Sequence, residues 1–305
     1  MSTMFTSMLF VPGGDEAKLA KVDSLSAPGL ILDLEDAVAE SRKAEARKMV
    51  GAAIANTTTS IPLWVRVNPE NEAATIADLD AVVGPRLQGI VLPKAESAIH
   101  VARVDWYLTA LEISRELPVG SIRLMPTVES VAGLSAVEAI AAASPRIDCL
   151  IFGAGDFSLD AGLDWPAEGG VSSLLISAKE RLVIASRLAG LLPPHDGVYP
   201  MFRDSDGLRA EAAQSRALGM FGKHAVHPQQ IPVIDEVFTP SAAKLEHART
   251  IVAAFDASEG QGVGNIDVGG QFIDYPVAHR ARALLALAES LARTDAGTGE
   301  GRDHE

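Results

Sequence analysis

Three acidic residues crowd the end of a short apolar run near the start of the chain. The stretch GLILDLEDAV spans residues 29–38, and its acids are Asp33, Glu35 and Asp36. Its first half has the near-continuous apolar character of a strand buried on both faces. Buried carboxylates cost free energy unless a partner compensates their charge. We therefore expect these acids to face a cation or metal-bound water.

Polar side chains also follow most of the other apolar runs. They belong to Arg66 and Asn68, Lys94, Glu129 and Ser130, Asp156, and His227. If the runs are strands of a (β/α)8 barrel, their C-terminal ends share one rim, which is where such barrels place their active sites. Charges at the end of almost every strand on one rim indicate chemistry rather than a solvated surface.

Arg66, in the stretch WVRVN, is the natural partner of a carboxylate because a guanidinium group can bind one bidentately. Two interpretations remain open for it. Arg66 either binds a carboxylate of the substrate or forms a structural ion pair with the acids of residues 33–36. Those acids could also hold metal-bound water molecules.

Glu129 and Asp156 lie in turn-forming contexts, PTVES and GAGDFS, at the ends of successive runs. Two carboxylates that converge on one point repel each other unless they share a cation or a proton. Oxygen ligands without an adjacent histidine or cysteine suit Mg²⁺ or Mn²⁺ better than zinc. The competing interpretation is that both acids cap helices or pair with arginines.

Other polar residues give weaker signals. The stretch FVPGGDEAKLAK, residues 10–21, places Lys18 and Lys21 three apart on one predicted helix face after a Pro-Gly-Gly turn. This arrangement could receive phosphate groups, although a solvated lysine pair is commoner. Lys94 and Lys223 are either rim groups or solvated. His227 either contacts a ligand or is a buried, hydrogen-bonded histidine.

The elements that must position these residues are eight short apolar runs, each followed by a turn and a helix-like segment. They span residues 7–13, 29–36, 62–68, 89–95, 122–130, 148–158, 195–200 and 222–228. Eight such units in roughly 230 residues match a (β/α)8 (TIM) barrel. The alternative is a doubly wound open sheet, but no G-x-G-x-x-G follows the first run. We predict an α/β fold with a barrel over residues 1–238.

The pattern changes after the eighth run. An amphipathic helix, a glycine-rich strand-like insert and a last helix predict a small C-terminal extension over residues 239–293. It is too small to hold much core alone, so we expect it to pack on the barrel or on a neighbouring subunit. Residues 294–305 are polar and glycine-rich, which predicts a disordered tail.

Composition excludes several classes of protein. A net charge of −14 and a pI near 4.9 argue against nucleic acid as a partner, because phosphate binding needs a basic face. The single cysteine, Cys149, lies in the apolar stretch DCLIF and is expected in the core. No secretory signal is apparent, and no apolar run reaches the ~20 residues that span a bilayer. We therefore expect a cytoplasmic protein that is not bound to membranes.

Several ordered motifs resemble a known family. LFVPGGDEAKLAK, LILDLEDAV, WVRVN, GIVLPKAES, MPTVES, FGAGDFSLDAG, GKHAVHPQQI and FIDYP occur in this order between residues 7 and 292. Together they resemble the citrate lyase β-subunit-like branch of the HpcH/HpaI aldolase family. Within that branch, VPGGDEAKLAK and GGQFIDYP are most similar to stand-alone lyases that act on citramalyl-CoA or malyl-CoA.

The resemblance implies a (β/α)8 barrel, a homotrimer and roles for particular residues. It implies that Glu129 and Asp156 bind Mg²⁺, with Mn²⁺ as a possible substitute, and that Arg66 clamps the carboxylate and carbonyl of the substrate. It also implies that Asp274 is a catalytic acid supplied by a neighbouring subunit. The residues implied in binding the CoA thioester are Phe10, Val11, Pro12, Gly13, Gly14, Lys18, Lys21, Val226 and His227.

This chain departs from the family pattern before and within its first turn. Thr6 and Ser7 stand where many relatives have an arginine, and Gly14 stands where an asparagine is common. These departures affect the expected recognition of CoA or an acyl-carrier protein and leave the metal centre unaffected.

The predicted function is cleavage of a 3-hydroxyacyl-CoA that carries a carboxylate into acetyl-CoA and an α-keto acid. The base that takes the hydroxyl proton is Glu35 or Asp36, acting through water. One alternative is the β subunit of a citrate lyase, which cleaves a citryl thioester. Others are malate-synthase-like or thioesterase activity, and a non-catalytic protein that binds CoA thioesters.

Overall fold

The computed structural model describes residues 4–69, 71–165 and 172–299, with side chains up to residue 292. Within this range the chain divides into two compact units, the first ending at Phe238 and the second beginning at Thr239.

The first unit contains eight parallel strands that form a closed barrel in chain order. The strands are β1 (Ser7–Pro12), β2 (Gly29–Asp33), β3 (Leu63–Arg66), β4 (Leu87–Leu92), β5 (Arg123–Val128), β6 (Ile151–Phe152), β7 (His195–Asp196) and β8 (Lys223–Ala225). The barrel closes where β8 pairs with β1, with His224 opposite Met8. The predicted (β/α)8 barrel is therefore confirmed, and the open sheet is excluded.

Helices alternate with the strands. They are α1 (Glu16–Leu19), α2 (Lys43–Asn56), α3 (Glu72–Val82), α4 (Ala98–Ser114), α5 (Val131–Ser135), α6 (Val137–Ala141), α7 (Ala154–Asp160), α8 (Ser173–Leu188), α9 (Ser205–Ala217) and α10 (Ile231–Phe238). Several begin where a side-chain oxygen accepts a hydrogen bond from the first turn, for example Asn71 before α3 and Ser97 before α4. No helix in the described ranges is long and apolar enough to cross a bilayer.

The barrel interior is filled by large apolar side chains from successive strands. The cluster contains Phe5, Met8, Ile31, Trp64, Val91, Met125, Cys149 and Ile151. Cys149 is a buried free thiol, as predicted, and its burial raises its pKa, which keeps it protonated and unreactive. Because this apolar cluster fills the barrel interior, a site is expected at the C-terminal ends of the strands.

The second unit consists of two helices and a hairpin. Helix α11 (Ala242–Glu259) precedes the antiparallel strands β9 (Ile266–Val268) and β10 (Gln271–Ile273), and α12 (Tyr275–Gly299) follows. Its core includes Ile251, Phe255 and Ile273. Helix α12 continues into the predicted tail of residues 294–305, of which residues 300–305 lie outside the described range. Packing of this unit on a neighbouring subunit stays a prediction.

Candidate active site

Charged residues are held at the C-terminal ends of four strands. Asp33 and Arg66 are the last residues of β2 and β3, and Glu129 directly follows β5. Asp156 lies in the first turn of α7, which begins just after β6. The parallel barrel thus carries all four to one rim.

A cavity of about 230 Å³ lies at this rim. Its polar side chains are those of Asp36, Arg66, Thr127, Glu129, Asp156 and His224, and its large apolar side chains are those of Phe10, Val91, Ile151, Phe152 and Trp165. The structure therefore brings Arg66, Glu129 and Asp156, which the sequence singles out separately, into a single cavity.

Glu129 is held tightly at the wall of the cavity. Its Oε1 accepts a hydrogen bond of 2.7 Å from the backbone N–H of Lys94. A Cβ atom at Gly153 would lie 2.5 Å from Glu129 Oε2, so only glycine leaves room for the carboxylate. Burial raises the pKa of Glu129 to about 7, and the charge of Asp156 acts in the same direction against the Lys94 hydrogen bond. A bound cation would relieve this repulsion.

The residues present fit a magnesium ion. Mg²⁺ commonly takes only one or two protein carboxylates and completes its shell with water and substrate oxygens. In the part of the chain that the structure describes, no three His, Cys, Asp or Glu side chains gather into a cluster that could hold a metal. The carboxylates of Glu129 and Asp156 would therefore be the ligands that the protein supplies, which leaves positions for a substrate.

Arg66 is braced by the acids that follow β2. Its Nε and Nη2 each donate to Asp33 at 2.7 Å, and its Nη1 lies 3.0 Å from Glu35 Oε2 and 3.5 Å from Asp36. The guanidinium also lies 4.8 Å from the centre of the Phe10 ring. Burial alone lowers the pKa of Arg66, but its hydrogen bonds and ion pairs with these acids raise it above its ordinary value. The structural ion pair is thus formed, while Arg66 still faces the cavity.

Glu35 is nearly inaccessible, with only 2% of its side chain exposed. Within the described part of the chain its Oε1 has no hydrogen-bond partner, and it lies 3.7 Å from the Lys94 ammonium. Burial raises the pKa of Glu35 to about 8, although Arg66 opposes the shift. Asp36, by contrast, is 61% exposed and lines the cavity. The acids after β2 therefore face two cations and the cavity.

The turn after β1 is shaped by close backbone contacts. Val11 is buried, Phe10 lines the cavity, and Pro12 ends the strand. The Gly13 N–H donates to the Asp33 carbonyl at 2.8 Å, and a Cβ there would lie 2.5 Å from that oxygen. Gly14 accepts a hydrogen bond from Arg42 through its carbonyl.

The two lysines after this turn are not on one α-helix, contrary to the prediction. Helix α1 ends at Leu19, so Lys21 lies beyond it, in the turn that enters the 3₁₀ helix Val22–Ser24. Both lysines are exposed, and Lys18 forms an ion pair of 3.4 Å with Asp15. The prediction fails because α1 has only four residues, and the spacing of the two lysines does not indicate where the helix ends.

The residues after β8 form a capped turn. The backbone N–H groups of Val226 and His227 donate to Gln230 Oε1, and His227 Nδ1 accepts a hydrogen bond from Gln229. The His227 ring stacks on Phe202 with centroids 5.1 Å apart. Val226 is exposed and His227 is half-buried, so His227 is not the buried histidine that one interpretation expected.

The family is decided by the whole barrel rather than by single motifs. Residues 6–228, which include every barrel strand as well as Arg66, Glu129 and Asp156, match the family described as HpcH/HpaI aldolase/citrate lyase. The chain belongs to this family. Its activity class is therefore that of the carbon–carbon lyases.

Individual relatives of the HpcH/HpaI family span almost the whole chain. An L-malyl-CoA/beta-methylmalyl-CoA lyase of Cereibacter sphaeroides is 36% identical over 305 residues, covering 93% of this chain and 94% of the relative. The citrate lyase subunit beta of Haemophilus influenzae is 33% identical over 290 residues, covering 95% and 98%.

A solved structure agrees with the barrel. The crystal structure of CitE from Mycobacterium tuberculosis in complex with magnesium, acetoacetate and coenzyme A superposes with a TM-score of 0.77. It is 28% identical and covers 95% of this chain and 100% of that one. The family resemblance seen in the sequence thus extends to the backbone.

Asp274, the acid implied by the family motif FIDYP, belongs to the second unit. It lies between β10 and α12, where its side chain accepts a hydrogen bond of 3.2 Å from the Val277 N–H in the first turn of the helix. Its carboxylate is partly exposed. Its role as a catalytic acid stays a prediction.

Two residues of β8 differ from the sequence-based expectation: His224 is not among the predicted site residues, and Lys223 is predicted in the wrong environment. His224 lines the cavity and packs edge-on against Phe10, and burial lowers its pKa so that it is neutral. Lys223, expected at the rim or in solvent, is fully buried and pairs with Asp196 and Glu211 at 2.6 Å each. The alternation of side chains along a strand could have separated the two, had the register of so short a strand been known.

Proposed function

We propose that this chain is a Mg²⁺-dependent lyase that cleaves a 3-hydroxyacyl-CoA thioester carrying a carboxylate. Citramalyl-CoA and malyl-CoA are the proposed substrates, giving acetyl-CoA with pyruvate or glyoxylate. The observation that carries the proposal is the cavity that holds Glu129, Asp156 and Arg66 together at the C-terminal rim of the barrel. The malyl-CoA lyase relative and the CitE structure with magnesium and coenzyme A support it.

In this proposal the two carboxylates hold the ion and Arg66 holds charge. Glu129 and Asp156 would bind Mg²⁺, which when bound lowers the pKa of a coordinated hydroxyl group and stabilises negative charge on its oxygen. Arg66 is fixed by its two hydrogen bonds to Asp33, so its charge needs no reorganisation as negative charge develops in the cavity. Phe10 and Trp165 contribute apolar walls that limit access of water.

Two proton transfers complete the reaction. Glu35 or Asp36 accepts the proton of the substrate hydroxyl through a water molecule as the C–C bond breaks. The bond electrons leave on the thioester fragment as an enolate, and the other fragment becomes the α-keto acid. Asp274, supplied by a neighbouring subunit of a homotrimer, then protonates the enolate carbon to give acetyl-CoA.

The test is release of α-keto acid from citramalyl-CoA and malyl-CoA, with Mg²⁺ and with EDTA. We expect pyruvate or glyoxylate only when the metal is present, and Glu129→Gln or Asp156→Asn should abolish it. Full activity in either variant would refute the assignment of that residue as a metal ligand. No keto acid from either thioester would refute the proposed substrates.

A second candidate is the citrate lyase β subunit. It is favoured by the relative from Haemophilus influenzae, whose length this chain matches over 98%. The same assay with a citryl thioester distinguishes the two, because citrate lyase chemistry releases oxaloacetate. If kcat/KM for the citryl thioester exceeds kcat/KM for both citramalyl-CoA and malyl-CoA, the chain acts as a citrate lyase β subunit.

A further inference from the structure

His224 is a polar group at the cavity that the proposed metal ligands and proton transfers do not use. It is the middle residue of β8, its side chain lines the cavity, and only 2% of the residue is exposed. Its ring packs edge-on against Phe10 with centroids 5.6 Å apart, and the Arg66 guanidinium lies 4.8 Å from the centre of the same Phe10 ring. Because buried polar groups are almost always hydrogen-bonded, the partners of this ring bear on function.

One nitrogen of the His224 ring is turned to a second histidine. Nε2 lies 3.4 Å from His195 Nδ1, at the long end of a hydrogen bond. Burial lowers the pKa of both rings, so each is neutral and carries one N–H. When the His195 N–H is on Nδ1 and donates to His224 Nε2, the N–H of His224 is on Nδ1. Nδ1 is then a donor for a ligand in the cavity.

The lining side chains that carry hydrogen-bond donors lie at different places around the barrel. They are Arg66, Thr127, Trp165 and His224. Thr127 is on β5 and Trp165 packs against Gly155 just after β6, so both lie beside the strands that lead into the predicted metal ligands. His224 is on β8, which pairs with β1 and leads into residues 226–227. The family resemblance implies those residues and the turn after β1 in binding the thioester, so His224 is the donor on the thioester side.

The proposed cleavage creates negative charge on the thioester fragment. The electrons of the broken C–C bond move into that fragment, and its carbonyl oxygen becomes the oxygen of an enolate. Arg66 keeps the contacts that the resemblance implies, and a second donor would share the charge on this oxygen. A donor held in place in a buried site stabilises such charge without reorganisation, and a neutral imidazole can supply it.

We propose that the Nδ1–H of His224 donates a hydrogen bond to the thioester oxygen of the substrate and stabilises the enolate, and that His195 fixes the tautomer. This inference rests on the proposed lyase function, because that function supplies the thioester. The proton stays on Nδ1 throughout, so His224 is neither the base nor the acid of the reaction. His224 is a catalytic residue in this proposal, and His195, which acts through it, is a positioning residue.

The first test is spectroscopic and needs no turnover. Acetyl-CoA with a ¹³C-labelled carbonyl is bound to the Mg²⁺-loaded protein, and its C=O stretching band is recorded by isotope-edited infrared difference spectroscopy. His224→Gln and His224→Met have side chains of similar size, but only glutamine carries a donor. Because a hydrogen bond to the oxygen weakens the C=O bond, we expect the wild-type band at lower wavenumber than that of His224→Met. The band of His224→Gln should lie between the two.

The second test separates catalysis from binding. Loss of one donor to a developing oxyanion costs about 10²–10³ in kcat, so kcat for keto acid release should fall by that factor in His224→Met. The Kd of acetyl-CoA, measured by calorimetry, should change by less than about threefold, since a neutral hydrogen bond contributes little to net affinity. His100→Met, on α4 and outside this cavity, is the matched control and should behave like the wild type. His224→Leu replaces the methionine variant if that variant does not fold.

Paired variants of His195 test the tautomer. His195→Met removes the donor to His224 Nε2, so the C=O band should move part of the way towards that of His224→Met. His195→Gln keeps a donor and should leave the band near its wild-type position. A purely structural role for His195 would not move the band.

Each part of the proposal can fail separately. A wild-type band in His224→Met, or no binding of acetyl-CoA by the wild type, would overturn the contact with the thioester oxygen. A kcat of His224→Met within about threefold of the wild type would overturn the stabilisation of the enolate. Wild-type bands in both His195 variants would overturn the assigned tautomer. If the band moves in His224→Met, yet the wild type cleaves no hydroxyacyl-CoA, the thioester contact stands and the proposed function fails.

Discussion

At the scale of the residue, Glu35 is an acid whose two oxygens have different environments. Its Oε2 lies 3.0 Å from Arg66, whereas its Oε1 has no hydrogen-bond partner among the residues that the structure describes. Burial raises its pKa to about 8, close to the pH at which a general base is efficient. Asp36 is well exposed and its carboxylate is solvated. Between the two predicted bases, we expect Glu35 to accept the proton because of its raised pKa, although Asp36 is the one that lines the cavity.

The choice is testable with paired variants. Glu35→Gln keeps the size of the side chain and removes its capacity to accept a proton, so kcat for keto acid release should fall by roughly 10²–10⁴. Asp36→Asn should change kcat by less than about tenfold, since an exposed acid is readily replaced by water. Mn²⁺ affinity serves as the control and should be unchanged in both. The reverse order of kcat values would make Asp36 the base.

The convergence of Arg66, Glu129 and Asp156 was predictable because parallel strands end on one rim. What each of them contacts was not. The bracing of Arg66 by Asp33 depends on the pairing of β2 with β3, which places the two residues side by side. The backbone hydrogen bond from Lys94 to Glu129 depends on a positive φ that no residue pattern signals.

At the scale of the element, predicted strands were longer than the observed ones. The sixth run was predicted over residues 148–158, but β6 is only Ile151–Phe152, because the chain turns at Gly153 into α7. A run of apolar residues followed by glycine is compatible with a strand or with the start of a helix. The early turn at Gly153 places Asp156 at the rim. The position of this candidate metal ligand therefore depends on a strand end that the apolar pattern does not locate.

Gly153 is required by this turn. A Cβ there would lie 2.5 Å from both Cβ and Oε2 of Glu129. Gly153→Ala should therefore displace the carboxylate and raise the Mn²⁺ Kd roughly 10–100-fold. Gly84→Ala is the matched control, because nothing lies within 4 Å of its added Cβ. Calorimetric titration of both variants checks this, and wild-type affinity in Gly153→Ala would show that Glu129 does not bind the metal through that position.

At the scale of the whole molecule, the barrel buries a group of ionisable side chains, of which His224 also lines the cavity. Asp196 is held by Lys179 at 3.0 Å and Lys223 at 2.6 Å, and burial is outweighed by these cations, so its pKa is lowered. His195 and His224 lie beside this network with ring nitrogens 3.4 Å apart. Burial lowers the pKa of His195 to about 4, although the charge of Asp196 opposes the shift. Both histidines are neutral in the folded protein.

In mild acid His195 destabilises the folded protein, against the stabilisation that protonation of Glu35 and Glu129 brings, because burial raises the pKa of those two acids above their ordinary values. The ordinary pKa of His195 is 6.5, so between about 6.5 and about 4 the unfolded chain takes up a proton that the folded one does not. The contribution of His195 to the free energy of unfolding should therefore fall by roughly 2 kcal/mol between pH 7.5 and pH 5. Urea unfolding at pH 7.5 and pH 5, followed by tryptophan fluorescence, to which the buried Trp64 contributes, measures the effect. The difference in the free energy of unfolding between the wild type and His195→Gln should fall by that amount from pH 7.5 to pH 5, and a difference that does not change with pH would contradict the assignment.

The predicted homotrimer gives the last prediction, because it places Asp274 of one subunit at the cavity of another. Glu129→Gln and Asp274→Asn should each be inactive alone. In mixed oligomers, a barrel with intact Glu129 can meet a neighbour with intact Asp274, so equal co-expression should restore about a quarter of wild-type activity. Glu129→Gln mixed with Asp156→Asn is the control, since both lesions lie in one barrel and no combination repairs a site. Activity no higher than this control would mean that Asp274 does not act across subunits, whereas a quarter would establish a site shared between them.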